Sequence, residues 1–328
     1  MPTIIYKVFN TSKPVLLRSS LFLSILICII ILGAMPPHRS ATVHGQVVLN
    51  AGSGWDGNWV GSPSVIYDGS SFTMWYEGMG TIGKFSIGLA TSNDGISWSR
   101  YSHNPVFNAS RGEQWDSKDV QYPWVLYEDG VYKMWYTRDG IAGTAGANQQ
   151  IGYATSPDGI NWTKYSGNPV LSPSPGLWDG FQVNGGRVVH VGSSYVMYYE
   201  GEQSQSSSYA IGVATSKDGV HWTKTGKATI QSHGWDKFQV IGGVAYLNGS
   251  YVALYAGGNG TTTNSIGIAS SVDGVNWTPF TSNPIITPAG PKSWDSFLVE
   301  SPMLLVVGDH YYVPAFNALA SNRMESNR

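Results

Sequence analysis

Five Trp-Asp pairs divide this chain into near-copies of a single unit. They stand at Trp55, Trp115, Trp178, Trp235 and Trp294, so by subtraction successive copies start 60, 63, 57 and 59 residues apart. A period of this size marks one supersecondary unit that buries its apolar face only against its neighbours. Each copy holds four short runs rich in Val, Ile, Tyr, Trp and Thr, separated by Gly, Asn, Asp, Pro and Ser. That pattern predicts antiparallel strands joined by turns. No stretch after residue 45 has a helical period. Four strands per copy and five starts predict an all-β fold, a five-bladed β-propeller with four-stranded antiparallel blades, because radial closure leaves only short sheet edges.

The turn after the third strand repeats most clearly, at Asp94-Gly95, Asp158-Gly159, Asp218-Gly219 and Asp273-Gly274. Gly tolerates positive φ there and Asp bonds its own turn backbone. Three residues after each Gly comes an indole, Trp98, Trp162, Trp222 or Trp277. Recurrence in every complete copy predicts that these indoles pack between blades rather than read a ligand. The repeated Asp56, Asp116, Asp179, Asp236 and Asp295 are read as turn or cap residues on the same ground.

The two chain ends are less regular. Lys7, Lys13 and Arg18 precede an apolar run from Leu21 to Leu32, and Gly33-Ala34 follows. A basic start, an apolar core and a small-residue exit predict a secretory signal over residues 1–34, cleaved after Ala34. The alternative is an uncleaved membrane anchor, so the expected location is secreted, extracellular or cell-surface, with a membrane as partner only in the anchor case. Residues 35–45 read as a linker and 46–328 as the propeller. The Gln46–Asn50 stretch resembles the end of a copy and is expected to be the N-terminal strand that closes the last blade, whose own third strand and turn are not recognisable. The only cysteine, Cys28, lies in the apolar run, which excludes disulfides and thiolate metal sites from the propeller. A formal net charge of −2 without a basic stripe argues against nucleic acid.

Ser62-Pro63-Ser64-Val65-Ile66-Tyr67, Met74-Trp75-Tyr76, Ile87-Gly88-Leu89-Ala90-Thr91-Ser92, Asp94-Gly95, Trp98 and Asn104-Pro105-Val106, with their later copies, resemble the arabinanase, levansucrase and invertase superfamily of five-bladed propeller glycosidases and relatives such as mannoside phosphorylases. The resemblance spans about residues 45 to 317. It implies a carbohydrate partner and a site at the mouth of the central funnel, lined by the starts of the inner strands. It implies no organic cofactor; a central calcium ion, present in some relatives, would come by resemblance alone, and no oxygen-ligand loop of recognisable spacing is seen. Glycoside hydrolysis needs two carboxylates. The resemblance places the acid at Glu300, two residues before Pro302, but puts the base at Gly185 and the acid-tuning carboxylate at Gly242, neither of which can serve.

Aligned from their Trp-Asp pairs, the inner strands carry Gly61, Gln121, Asn184, Ile241 and Glu300 at one position. The second strands return toward the same mouth with Glu77, Thr137-Arg138, Glu200 and Asn317, and Asp119 lies two residues before Gln121, on the same strand face. Non-repeating polar residues at repeating positions mark candidate function. Glu300, Glu200 and Glu77 are the catalytic candidates, and Asp119, Gln121, Arg138, Asn184 and Asn317 the substrate-binding ones. Trp59, Tyr122 and Trp124 could stack on sugar rings, although an inner-strand Trp124 suits the core. Two readings stay open: a secreted glycoside hydrolase-like enzyme acting on polysaccharide or oligosaccharide, and a non-catalytic carbohydrate-binding or extracellular interaction propeller that has lost its base.

Overall fold

The computed structural model describes residues 3–8, 44–112, 114–139, 148–204, 209–259, 265–288, 298–307 and 310–318, with the backbone alone described at 3–8, 44–47, 298–300, 306–307 and 310–318. The described strands fall into five sheets. Four are each built from one copy of the repeat, in hairpin order. The first contains Trp59–Tyr67, Phe72–Met79, Phe85–Ser92 and Ser99–Arg100; the second, Val120–Glu128, Val131–Arg138, Gln150–Ser156 and Thr163–Lys164. The third contains Gln182–Val191, Ser194–Glu202, Ala210–Ser216 and Thr223–Lys227; the fourth, Phe238–Leu247, Ser250–Gly258, Ser265–Ser271 and Asn276–Pro279. Thr229–Ile230 adds to the outer edge of the fourth in parallel.

The fifth sheet is assembled from both ends of the chain. Leu298–Glu300 and Leu305–Val307 pair with His310–Ala318, and Thr3–Val8 and then His44–Leu49 complete it outward. The N-terminal strand at His44–Leu49 thus lies at the outer edge, but it reaches the last blade through Thr3–Val8, a stretch the sequence reading assigned to the signal. That stretch fills the third-strand slot that the last copy leaves without a recognisable sequence. The two assignments compete for the same residues, since cleavage after Ala34 would remove this strand. The apolar run from Leu21 to Leu32 lies outside the described residues, among which no helix is long and apolar enough to cross a membrane.

Consecutive sheets touch along their inner strands, and the fifth closes onto the first through His310–Ala318 and Trp59–Tyr67, giving a propeller-like arrangement. Inner-strand residues one place after the Pro position make most of the links. Val125 N–H donates to Ser64 Oγ at 2.9 Å, Trp124 Nε1 to the Val188 carbonyl at 2.7 Å, and Arg187 Nε to the Gly242 carbonyl at 2.8 Å. Met303 Sδ accepts from Val65 N–H at 2.9 Å, so the fifth sheet is tied to the first.

Away from the axis the first four copies build a shared aspartate–tyrosine clamp. Asp56, Asp116, Asp179 and Asp236 are buried and accept the hydroxyls of Tyr76, Tyr136, Tyr199 and Tyr255 from their own second strands at 3.2, 3.0, 3.0 and 2.9 Å. The fourth strand supplies a cation to the first three: Arg100, Lys164 and Lys224. Pro279 holds that place in the fourth copy, where Gln239 and Ser232 bond Asp236 instead. The neighbouring indoles lie flat on glycines: a Cβ on Gly78 or Gly88 would stand 2.5 or 2.4 Å from the Trp55 ring. Asp295 lies outside the described residues.

The turn indoles pack between sheets as predicted. Trp75 Nε1 donates to the Gly159 carbonyl of the next copy at 2.8 Å, Trp135 Nε1 to Gly219 at 2.8 Å, and Tyr198 hydroxyl to Gly274 at 2.8 Å. Trp162, Trp222 and Trp277 cross these rings edge-on with centroids 6.2, 6.4 and 5.6 Å apart.

Candidate functional site

Every complete inner strand breaks register at one place: between Gly61 and Ser64, Gln121 and Trp124, Asn184 and Arg187, and Ile241 and Gly243. Within the first three breaks Ser62, Tyr122 and Gly185 adopt left-handed backbone, with φ of 43°, 50° and 61°, and Ser301 matches them at 50°. Non-glycine residues seldom adopt that region, and bulges of this kind re-aim side chains beside functional sites. The recurrence supports the gapless alignment of the inner strands. It also places the backbone of Glu300 on the same rung as Gly61, Gln121 and Asn184.

Across each break the second strand supplies the facing residue. Gly61 pairs with Glu77, Gln121 with Thr137, and Asn184 with Glu200. Glu77 is buried and its two oxygens are both engaged. Tyr122 N–H donates to Oε2 at 3.1 Å and Trp59 Nε1 to Oε1 at 3.2 Å. Burial pushes its carboxyl above the ordinary value; the Tyr122 N–H, the Ser62 and Trp59 side chains and the Arg187 charge oppose that without cancelling it. Thr137 does the same job one sheet on, accepting Gly185 N–H at 3.0 Å. Glu77 is therefore placed as an inter-sheet link as much as a site carboxylate.

Glu200 differs. It is only partly buried, and Gly242, the next sheet's counterpart of Tyr122 and Gly185, turns its carbonyl toward Arg187. A Cβ built on Gly185 would lie 3.2 Å from Glu200 Oε1 and 3.6 Å from Arg187 Nη1, so carboxylate and guanidinium flank one point over that glycine. Arg187 is buried, lies over the Trp124 ring with its guanidinium carbon 5.7 Å from the centroid, and has no hydrogen-bond partner at Nη1. Desolvation lowers its pKa, while Glu200, Tyr122 and Glu77 favour its charge.

Two further groups border this centre. Beside Glu200, Gln182 Nε2 donates to Glu202 Oε2 at 2.6 Å and to the Tyr209 hydroxyl at 3.1 Å. Burial raises Glu202 against the Gln182 bond, and burial together with Glu200 and Glu202 pushes Tyr209 up to about 12. In the second sheet, Asp119 accepts Phe85 N–H at 2.7 Å, and its pKa is raised, chiefly by burial. Lys118 there pairs with Asp139 at 2.6 Å.

The predicted residues thus separate. Glu200 and Glu77 both act on the Arg187 charge, and Asn184 is the strand partner of Glu200. Gln121 is buried at the same rung of the neighbouring sheet. Arg138 turns away: its Nη2 donates to Gln150 Oε1 at 2.7 Å and its guanidinium lies over Trp115. Asp119 faces the first sheet. Glu300 and Asn317 fall on described strands, with Glu300 paired to Phe316 and Val299 to Asn317, but their side chains lie outside the described residues. Trp59 and Tyr122 remain partly exposed at the mouth, whereas Trp124 is core. Among the described residues no cluster of His, Cys, Asp or Glu is arranged to hold a metal ion.

Sequence reasoning missed Arg187. Its signal was present one place after the Pro position, where the copies read Ser64, Trp124, Arg187, Val244 and Met303. A charge at a repeating inner position is the same kind of departure that singled out Glu200.

Residues 141–256, less than half of the chain, match the profile of glycoside hydrolase family 130, described as beta-1,4-mannooligosaccharide phosphorylase. The chain is 29% identical over 210 residues to the 1,2-beta-oligomannan phosphorylase of Thermoanaerobacter sp. (strain X514), covering 61% of this chain and 64% of that protein. It is 29% identical over 182 residues to an uncharacterized protein of Mycobacterium tuberculosis (strain ATCC 25618 / H37Rv), covering 53% of this chain and 58% of that one. The chain spans less than two thirds of the length of these curated relatives. Among solved structures it resembles one from a study of family 130 enzymes that target beta-1,2 mannosidic linkages in Candida mannan, with TM-score 0.57, 19% identity and coverage of 80% and 85%. It also resembles a thermostable family-43 glycoside hydrolase, with TM-score 0.59, 15% identity and coverage of 78% and 83%. At these identities the structural likeness carries the propeller fold alone.

Proposed function

We propose that this chain is a glycan-active propeller that hydrolyses mannosidic bonds, with the Glu200 carboxylate activating water and Glu300 protonating the leaving oxygen. The observation that carries the reading is Glu200 itself: a partly exposed carboxylate over Gly185, beside a buried guanidinium, on a mouth rung. The mannoside specificity rests on the family 130 match and on the 1,2-beta-oligomannan phosphorylase relative. Hydrolysis needs an acid and a base or nucleophile; Glu300 is taken as the acid because it corresponds in the repeat to Asn184, the residue that faces Glu200.

Water rather than phosphate is favoured by the charge of the mouth. Glu200 and Glu77 both act on the Arg187 charge, Glu202 acts with Glu200 on the adjoining Tyr209, and the Arg138 cation is taken up by Gln150. A phosphate dianion placed beside these carboxylates would meet like charge in a poorly screened setting. We also read the five sheets as five blades, the last assembled from both chain ends.

The test is incubation with β-1,2- and β-1,4-mannobiose, with and without inorganic phosphate. Free mannose in both conditions, lost in Glu200→Gln and in Glu300→Gln, is expected. Mannose 1-phosphate formed only with phosphate would replace hydrolysis by phosphorolysis. Retention of mannobiose without any turnover would leave a binding propeller.

A further inference from the structure

Two polar atoms of the mouth are buried with nothing to bond: Asn184 Oδ1 and Arg187 Nη1. Both residues lie on Gln182–Val191, at the two sides of its register break, and are 3% and 5% exposed. The remainder of each side chain is committed. Asn184 Nδ2 donates to Gln149 Oε1 at 2.7 Å, and Arg187 Nε to the Gly242 carbonyl at 2.8 Å, with the guanidinium laid over Trp124. Tyr209 also touches the Asn184 side chain, and Oδ1 is still left without a hydrogen-bond partner. Neither open atom can turn elsewhere without breaking a bond already made.

Buried polar groups left unmatched are rare and expensive, and they ask for an explanation. The other three such atoms among the described residues, Trp98 Nε1, Asp116 Oδ1 and Trp235 Nε1, belong to separate copies of the outer repeat. Asn184 and Arg187 stand on one inner strand, on either side of Gly185. Between them, Gly185 leaves clear the point that a Cβ would occupy 3.2 Å from Glu200 Oε1 and 3.6 Å from Arg187 Nη1.

The two atoms have opposite character, and this selects the ligand. Arg187 Nη1 can only donate; Asn184 Oδ1 can only accept. A phosphate or a sugar carboxylate would satisfy the guanidinium but turn lone pairs toward Asn184 Oδ1 and negative charge toward Glu200. A hydroxyl both accepts and donates. We infer that Asn184 and Arg187 read the hydroxyls of a neutral glycosyl ring, one hydroxyl accepting from Arg187 Nη1 and the same or an adjacent one donating to Asn184 Oδ1, which orients the ring over Gly185 toward Glu200. The assignment rests on the mannoside reading above and names the residues that would confer its specificity.

The experiment is a cycle between side chain and ligand. kcat/KM is measured for mannobiose and for its mono-deoxy analogues with the parent, Asn184→Ala and Arg187→Lys; Kd replaces kcat/KM where binding occurs without turnover. In the parent, removing a hydroxyl that is read should lose about tenfold. That loss should shrink to less than about threefold in the variant lacking its partner, because two deletions of one contact do not add. Circular dichroism and the unfolding midpoint check each variant, and Asn184→Ala carries the test alone if Arg187→Lys does not fold. Mannuronate and inorganic phosphate serve as competitors and should not compete.

Losses that simply add, in a parent that acts on mannobiose, overturn the hydroxyl reader and leave the mannoside function standing. Competition by either anion that vanishes in Arg187→Lys overturns it in favour of an anion site. A folded parent that neither cleaves nor binds mannobiose overturns the functional reading and this pair with it.

Discussion

The outer clamp and the mouth both bury carboxylates, and they do so in opposite ways. In the clamp, Asp116 meets the Tyr136 hydroxyl and Lys164, and Asp56 and Asp179 meet a tyrosine and a cation in the same arrangement. In the mouth, Glu77 is held by N–H donors yet still raised by burial, Arg187 keeps an open N–H, and Asn184 an open carbonyl. Clamp positions repeat and draw their hydroxyl and cation partners from within the fold, although Asp116 Oδ1 is left without a hydrogen-bond partner. Mouth positions vary from copy to copy and stay open to something outside it. A repeat protein thus separates stability from recognition by position, and substitutions at the two places should part cleanly.

The largest effect is expected at the mouth. Glu200→Gln should lower kcat on mannobiose by about a thousandfold, roughly 4 kcal/mol of transition-state stabilisation, while moving the unfolding free energy by about 1–2 kcal/mol, since Glu200 is partly exposed but favours the charge of buried Arg187. Steady-state kinetics beside urea unfolding would show it. A loss of stability equal to the loss of rate would erase the distinction between the two regions.

The complementary change is Asp116→Ala. Breaking a buried ion pair typically costs about 3–5 kcal/mol. Lys164 is partly exposed and keeps the Asn108 carbonyl and Ser110 hydroxyl as partners, so about 2–3 kcal/mol is expected here. The urea midpoint should fall with an unchanged slope, and kcat per folded molecule should hold. Trp75→Phe comes next. It removes the indole N–H from the Gly159 carbonyl, for about 1–2 kcal/mol, again without a kinetic signature.

The clamp was legible in the sequence because it is written several times; the mouth was legible only as departures from that text. Trp55, Asp56, the Asp94-Gly95 turn and Trp98 each recur, so their structural role follows from repetition alone. Glu200, Asn184 and Glu77 could be singled out because their counterparts differ. What Glu77 would do could not be read, since its partner is the N–H of Tyr122 in the next copy, exposed to it only by a left-handed bulge. Arg187 escaped because the comparison of copies stopped at the Pro position. The fifth sheet was least legible: its third strand comes from Thr3–Val8, and no local pattern near residue 318 announces a partner three hundred residues away.

The smallest and most general contrast is in pH. The turn aspartates Asp94, Asp158 and Asp273 are held well below the ordinary 3.8, first by backbone N–H groups of their own turns, and Asp218 first by the His221 side chain. A depressed carboxyl stabilises the fold above its unfolded value, and the contribution is lost as pH falls below 3.8 toward the folded values. Glu77 has the other sign. Its folded state binds the proton more tightly than the unfolded chain does, so its contribution is present below 4.5 and is lost as pH rises through the raised folded value. Unfolding midpoints measured from pH 2 to 8 should therefore respond oppositely to two substitutions. Asp94→Asn should flatten the acid limb slightly, by an amount kept small by solvent exposure. Glu77→Gln should remove a decline on the neutral side. If Glu77→Gln changed only the acid limb, its carboxylate would be stabilised like the turn aspartates, and the mouth would have to be read as a closed, structural part of the repeat.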